Sequence, residues 1–493
     1  MSEDGVRAVG DDGHAQVHHD AARRPEPDDP AAFNAAGIAL SGEAERARDA
    51  ASADRLWRLA AEQFSAALRA KPDLHEALNN LGTALAERAA LADDPAETTR
   101  LLAEAEERFE RALKLRPDEH EALNNWGNAL AARARHAAEP AEADRLWRAA
   151  ADKYVAALRV APQKFEALVN WGNALAQQAD RCDDPAAAER LFSAADQKFS
   201  QALELAPGRP EILYDWGNAL AERASRAADA AAALALLMAA TEKYQAALAL
   251  APDRPEIFVN LGAALIERAR RTAGDDGEAL LAAAERAYAE ALRLRPDQHQ
   301  ALFSWGAALM ARARRVGDPV AAERLLMAAE EKFSQAQALR PDRPEALVNW
   351  GTALAERAAR AGTAAEAERL FKEAEDKYAE AVCTDPDLDA ALYDWATTLM
   401  QRARRERDPE RRAMLLAHAE QKCRAALRSG AQPAYNLACI EALRGRLDAC
   451  RDALALAEEG GALPPAAHLV ADDDLAAVRG EPWFIALVAR RGG

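Results

Sequence analysis

Residues 166–179 read EALVNWGNALAQQA, and the phrase nearly recurs 45 residues to either side, as EALNNWGNALAARA at 121–134 and EILYDWGNALAERA at 211–224. Its glycine is a ruler. It falls at Gly37, Gly82, Gly127, Gly172, Gly217, Gly262, Gly306 and Gly351, and Ala396 then takes its place. Every step is 45 residues except the 44 between Gly262 and Gly306. A proline ruler keeps phase with it, at Pro72, Pro117, Pro162, Pro207, Pro252, Pro296, Pro341 and Pro386. Two rulers in phase over this length mark one supersecondary unit restated, here in nine copies over residues 30–431.

Each copy reads as two helices. Helix A starts near the Glu of EAL and runs to an Arg/Ala-rich end such as AARARHA. A break follows, DDP at 93–95 and 183–185, EP at 139–140, and DP at 318–319 and 408–409. Aspartate before proline is a helix start, because the carboxylate caps free N–H groups and proline at the first helical position lacks the N–H that would be orphaned. Helix B then runs through segments such as AERLFSAADQKFSQALELA and stops near the ruler proline. Copies five and six lack the proline at this break (Asp229–Ala230 and Asp275–Asp276), which leaves those starts less defined. In 187–205, Ala188, Leu191, Phe192, Ala195, Phe199, Ala202 and Leu203 fall at helical spacing. One helix pair cannot bury such a stripe alone, whereas stacking on neighbours does.

The tryptophans before the glycine (Trp126, Trp171, Trp216, Trp305, Trp350 and Trp395) supply large apolar area beside a small residue. Leu81 and Leu261 take that place in two copies. Large against small is packing logic, so these rings are expected in the core.

These residues also carry a resemblance. Leu123, Trp126, Gly127 and Leu130 resemble the large–large–Gly–large opening of the tetratricopeptide repeat (TPR), and Ala150, Tyr154, Ala157 and Pro162 resemble its alanine, aromatic, alanine and final proline. A standard repeat has about 34 residues, and this one carries 11 more. Eleven residues are about three helical turns at 3.67 each, so both helices lengthen with their faces in phase. The resemblance implies an all-α, right-handed superhelical solenoid of stacked antiparallel helix pairs. Residues 432–459, with the short turn GRLD, resemble one ordinary-length TPR. Residues 460–493, with ADDDLAAVRGEPWFIALV at 471–488, resemble the closing segment of many bacterial TPR arrays and are expected to cap the stack.

Composition bounds the partners. The 493 residues are half hydrophobic, only 5% aromatic, and carry a formal net charge of −18. That charge repels phosphate, so neither nucleic acid nor an anionic membrane is expected as a partner. No apolar run reaches the ~20 residues that span a bilayer. The five cysteines show no CxxC or finger spacing and read as reduced thiols. The opening MSEDGVRAVGDDGHAQVHHD has no apolar segment and predicts no secretory leader. A cytoplasmic protein is expected. Residues 1–29 are polar and aperiodic and read as a disordered tail, with His14, His18 and His19 not expected to hold metal.

No phosphate-cradling loop, HExxH or G-x-S-x-G elbow is present. Neither enzyme activity nor any cofactor is expected. His75, His120 and His299 fall in the turns between copies and read as solvated.

In TPR proteins helix A lines a concave face, and the resemblance implies which positions face it. Two before the glycine stand Asn80, Asn125, Asn170, Asp215, Asn260, Ser304, Asn349 and Asp394. Three before it, Asn124, Tyr214, Phe303 and Tyr393 are prominent, and one after it, Asn128, Asn173 and Asn218. An amide both donates and accepts, as an extended backbone requires. The competing reading is that these asparagines only link neighbouring copies. An arginine row six after the glycine (Arg88, Arg133, Arg223, Arg268, Arg312, Arg357 and Arg402) reads as internal charge pairing at helix C-termini rather than as a ladder for an acidic partner.

The expected function is an interaction scaffold that holds protein or peptide segments in the concave face. The alternative is the regulatory or sensing arm of a two-protein effector system, and a nucleic-acid-binding helical repeat is the remote one. Self-association through an imperfect cap stays open.

Overall fold

Aspartates at the breaks start the second helices as the sequence implies. The computed structural model of the chain describes residues 29–47, 49–429 and 433–492, in two compact units, Met1–Pro207 and Gly208–Gly493. Apart from Asp29, the tail with His14, His18 and His19 lies outside the described residues. The side chains of Asp94, Asp184 and Asp318 each accept a backbone N–H from the first turn they cap. Asp229 caps Ala232 N at 2.9 Å without help from proline. In copy six the helix begins at Gly274, whose φ of +65° suits glycine, and no side chain caps it.

The first unit contains α1 (Pro30–Glu45), α2 (Ala50–Ala70), α3 (His75–Leu91), α4 (Pro95–Leu115), α5 (His120–His136), α6 (Pro140–Val160), α7 (Phe165–Asp180) and α8 (Pro185–Leu205). The second begins with α9 (Pro210–Arg226), α10 (Ala230–Leu250), α11 (Pro255–Arg270), α12 (Gly274–Leu294), α13 (His299–Ala313) and α14 (Pro319–Leu339). It continues with α15 (Glu345–Arg360), α16 (Ala364–Thr384), α17 (Asp389–Arg405) and α18 (Pro409–Ser429). Then come α19 (Ala434–Leu443), α20 (Leu447–Glu459), α21 (Ala466–Ala471), a 3-10 turn at Asp473–Val478 and α22 (Pro482–Gly492). Among the described residues there is no strand. Within each unit consecutive helices pack on one another, and the short turns between long helices make neighbours antiparallel. The architecture is an all-α, TPR-like array of helix pairs. Every helix B of the nine copies has 21 residues, against 13 in α20.

In eight copies the ruler glycine lies against an aromatic ring of helix B. A Cβ on Gly127 would lie 2.7 Å from a ring carbon of Tyr154, and one on Gly172 would lie 2.9 Å from Phe199. The same seat holds Phe64, Phe109, Tyr244, Tyr288, Phe333 and Tyr378 over the other glycines, and these rings are fully or almost fully buried. In copy nine, alanine replaces glycine (Ala396), and the residue 27 further on is Cys423 instead of an aromatic; both are fully buried. The added methyl is matched by a smaller partner.

The tryptophans depart from expectation. All six are half-buried rather than buried. One side packs on the core, as Trp126 does on the cluster that holds Leu130, Trp147 and Tyr154. A lysine ammonium covers the other, with Lys153 over Trp126 at 3.4 Å, Lys198 over Trp171 at 4.0 Å, Lys243 over Trp216 at 3.6 Å and Lys422 over Trp395 at 3.4 Å from the ring centroid. Lys332 over Trp305 and Lys377 over Trp350 complete the set. An ammonium over an indole face is held by the ring quadrupole while its stem covers apolar surface. These rings therefore do not offer a free face to a ligand.

Candidate functional site

Helix A carries the candidate residues on one side, just before and after the glycine, because positions three and four apart share a face. Most of them are half-buried, while Asn128 and Tyr393 are exposed.

In the first unit the asparagines two before the glycine reach back to the preceding copy. Asn80 donates to Asn34 Oδ1 at 3.1 Å, and Asn125 donates to Asn79 Oδ1 and Thr83 Oγ1, each at 3.2 Å. Asn170 donates to Asn124 Oδ1 at 3.1 Å, and Asn124 in turn donates to Asn125 Oδ1 at 3.3 Å. The amides thus run head to tail from Asn170 through Asn124 and Asn125 to the buried Asn79. Copy one has Ala35 at this position.

The second unit uses the same seats with other donors and acceptors. Asn260 donates to Tyr214 Oη at 3.0 Å and Asn218 Oδ1 at 2.8 Å. Thr352 donates to Asp394 Oδ2 at 3.0 Å, and Asn436 of α19 donates to Thr397 at 3.1 Å. Asn349 turns back to Glu345 O of its own helix at 3.3 Å. In three of the four copies where helix B seats a tyrosine over the glycine, the residue after the glycine meets its hydroxyl. Tyr154 donates to Asn128 and Tyr244 to Asn218, both at 2.8 Å, and Tyr378 lies 3.2 Å from Thr352 Oγ1. Asp215 is half-buried, and Phe303 stacks on His299 with centroids 6.3 Å apart and meets Phe333 edge-on at 6.0 Å.

The arginine row is spent between copies more than within helices. Arg133 bonds Glu106 at 2.7 Å, Arg357 bonds Glu323 at 2.7 Å and Glu330 at 2.8 Å, and Arg402 bonds Glu368 at 2.9 Å and Glu375 at 2.5 Å. Burial pushes the Glu106, Glu285 and Glu330 carboxyls up, although the arginines beside them pull the other way. The intrahelical pairs Glu267–Arg271 and Glu356–Arg360 also form, at 2.8 and 3.3 Å. A further row, nine after the glycine, closes the orphan carbonyls at the end of the preceding helix A. Arg181 bonds Arg135 O and Ala137 O, Arg315 bonds Ala269 O, and Arg405 bonds Ala359 O at 2.8 Å.

The turn histidines are not fully solvated. His75 meets Glu119 at 3.1 Å, and His299 is held below its usual pKa chiefly by burial. Cys439, Asp472 and Asp474 form a donor cluster, but protein partners use its carboxylates: Asp474 bonds Arg404 Nε at 2.8 Å, and Asp472 accepts the Tyr435 hydroxyl at 2.5 Å. The cluster ties the closing segment to α17 and α19.

Open relief remains on the helix-A side. In the first unit a cleft of about 200 Å³ is lined by Asn128, Arg135, Tyr154, Asn170, Asn173 and Gln177. Another of about 200 Å³ is lined by His120, Glu121, Asn124, Asn125, Lys164 and Glu166. Sequence reasoning missed the lysine on each tryptophan and the hydroxyl received after the glycine. The first was visible as residues that change together, since Ala36, Leu81 and Leu261 stand where Gln63, Arg108 and Ala287 replace the lysine.

These features define a TPR-like helical-repeat protein. The family model of the plant-specific mitochondrial import receptor subunit TOM20 matches residues 110–212, less than a quarter of the chain. No curated protein matches. Similar solved structures include YrrB, described as a TPR protein with an unusual peptide-binding site (18% identity, 47% of this chain and 96% of that one, TM-score 0.31). Yeast Tom70 is another (14% identity, 92% of this chain and 95% of that one, TM-score 0.33). The type IV pilus biogenesis factor PilW is a third (16% identity, 56% of this chain and 98% of that one, TM-score 0.37). Among the described residues no helix is long and apolar enough to cross a membrane.

Proposed function

We propose that this chain is a non-catalytic interaction scaffold that seats extended segments of partner proteins on its helix-A face. The observation that carries the reading is the amide-lined cleft between α5 and α7. Asn128 there spends its oxygen on Tyr154, is exposed, and has N–H groups left to meet a peptide carbonyl. The asparagines two before the glycine serve chiefly to join copies, so recognition falls to the positions one after and three before it: Asn128, Asn173, Tyr214, Phe303 and Tyr393. Net charge of −18 favours protein over nucleic-acid partners. The five free cysteines suit a reducing compartment such as the cytoplasm.

The test is a random 12-residue peptide display library panned on the full chain. Selected peptides are resynthesised and titrated by fluorescence anisotropy. Asn128→Asp keeps the oxygen Tyr154 uses and replaces the outward N–H groups with a charge. Tenfold or greater weakening at unchanged helicity supports the reading. A library that enriches nothing, or binders indifferent to every helix-A substitution, sinks it.

A further inference from the structure

One quartet of residues recurs where the helix B of one copy meets the next copy. In copy eight, Arg357 of α15 bonds Glu330 of α14 at 2.8 Å, and Lys377 lies over Trp350 at 4.3 Å. Copies three, seven and nine carry the same four residue types at the same spacing, as Glu106, Trp126, Arg133 and Lys153 in copy three. There too the arginine bonds the glutamate and the lysine covers the indole. Copy two keeps the arginine, Arg88, and replaces the other three: Ala61, Leu81 and Arg108 stand for the glutamate, the tryptophan and the lysine. Arg88 thus has no inner carboxylate 27 residues before it. It bonds Asp54 at 3.1 Å, a carboxylate that Arg58 also holds at 2.6 Å. Arg108 is half-buried, and its Nε is enclosed without a hydrogen-bond partner. An enclosed donor left unpaired costs free energy and calls for a reason.

At that place the structure has a cleft of about 520 Å³, lined from α2, α3 and α4. Ala61, Leu81 and Leu85 give it an apolar part. Four arginines line it, Arg58, Arg69, Arg88 and Arg108, against two carboxylates, Glu62 and Glu104. Glu104 is itself held by Arg100 at 2.5 Å. In a chain of net charge −18 this is a local cationic site. Exchanging lysine for arginine at residue 108 also changes what the site can hold. A guanidinium presents a planar fork that takes a carboxylate on two bonds, whereas an ammonium acts as a point charge.

We propose that this cleft docks a partner protein segment carrying an aspartate or glutamate close to an aromatic residue. The acid meets Arg88 and Arg108, and the aromatic ring rests on Leu81 and Leu85. The segment thereby supplies from outside the carboxylate and the ring that copies three, seven, eight and nine supply from within. An aromatic anchor in an apolar recess with a few convergent charged groups is the usual form of a docking hot spot. The cleft shares no residue with the amide-lined cleft between α5 and α7, and the proposal does not rest on the reading of that one.

The variant Ala61→Glu/Leu81→Trp/Arg108→Lys tests it, because it rebuilds in copy two the quartet of copy eight and so fills the cleft from within. Random 12-mers are enriched on the full wild-type chain, depleted on the rebuilt variant, and titrated against both by fluorescence anisotropy. The expected peptides share an acid and an aromatic residue close in sequence. They should bind the rebuilt variant at least tenfold more weakly while its thermal stability is unchanged or higher. Changing the peptide's acid to its amide, or its aromatic residue to Ala, should each cost tenfold or more. Arg108→Gln removes the charge without filling the cleft and should cost as much; it decides alone if the rebuilt variant melts lower than wild type. Asn128→Asp should leave these peptides unaffected. If no peptide separates the two proteins, or the separated ones bind equally well without their acid, the proposal is overturned. The helix-A reading then stands, since both proteins keep the amide-lined cleft. A wild type that self-associates where the rebuilt variant does not would assign the cleft to a second copy of this chain and overturn a separate partner.

Discussion

The Lys153 ammonium lies 3.4 Å from the centre of the Trp126 indole ring. The two residues belong to α5 and α6 of one copy, and the pairing recurs wherever that tryptophan stands. Lysine and tryptophan are therefore one structural unit. Trp126→Leu should weaken the α5–α6 pair, and Lys153→Met should weaken it by about 0.5–2 kcal/mol. In the Trp126→Leu background the lysine change should cost close to nothing. Hydrogen exchange of α5 and α6 reads this locally, as a long array need not unfold in one step. Additive effects of the two changes would show that the contact carries no energy.

A methyl on Gly127 has nowhere to go while Tyr154 stays, since the nearest ring carbon would be 2.7 Å away. Gly127→Ala should destabilise its copy by about 1–3 kcal/mol, the usual cost of overpacking. Gly127→Ala with Tyr154→Cys copies the Ala396 and Cys423 arrangement and should recover part of that loss despite removing a large buried ring. Thermal melts of the three variants decide it, and a double variant worse than the sum of its singles would refute the compensation.

Asn125 joins two copies through Asn79 and Thr83. Asn125→Leu should cost about 1–3 kcal/mol, because it strands the oxygen of the buried Asn79. Exchange should accelerate at α3 and α5 together, whereas a residue engaged only with ligand would leave the free protein unchanged.

Asp394 occupies a seat that asparagine fills in five copies, and burial raises its carboxyl above the ordinary 3.8. An acid with a raised folded-state pKa holds its proton more tightly when folded. Its favourable contribution is complete below 3.8 and is lost as pH rises through the folded value. Asp394→Asn should therefore raise the melting temperature at pH 7, and the advantage should shrink as pH falls toward 3.8. An advantage that grows on acidification would mean the carboxylate is stabilised by its setting.

The repeat period, the helix starts at Asp94 and Asp184 and the buried stripe of helix B were all legible in the chain, because local rules act within one turn of helix. Even the contact between glycine and aromatic ring was implicit, in the exchange of that pair for Ala396 and Cys423. Tertiary structure decided what the repeated polar residues touch. A 45-residue period places the positions of Asn125 and Arg357 alike in each copy, and it reads the same whether the partner is another protein or the copy before. Contacts across copies lie 27 to 46 residues apart in sequence, beyond the reach of helical periodicity. They exist only once the pairs are stacked, and stacking turns most of the asparagine and arginine rows inward. One sign was present in the sequence: the first copy has Ala35 where most later copies have asparagine.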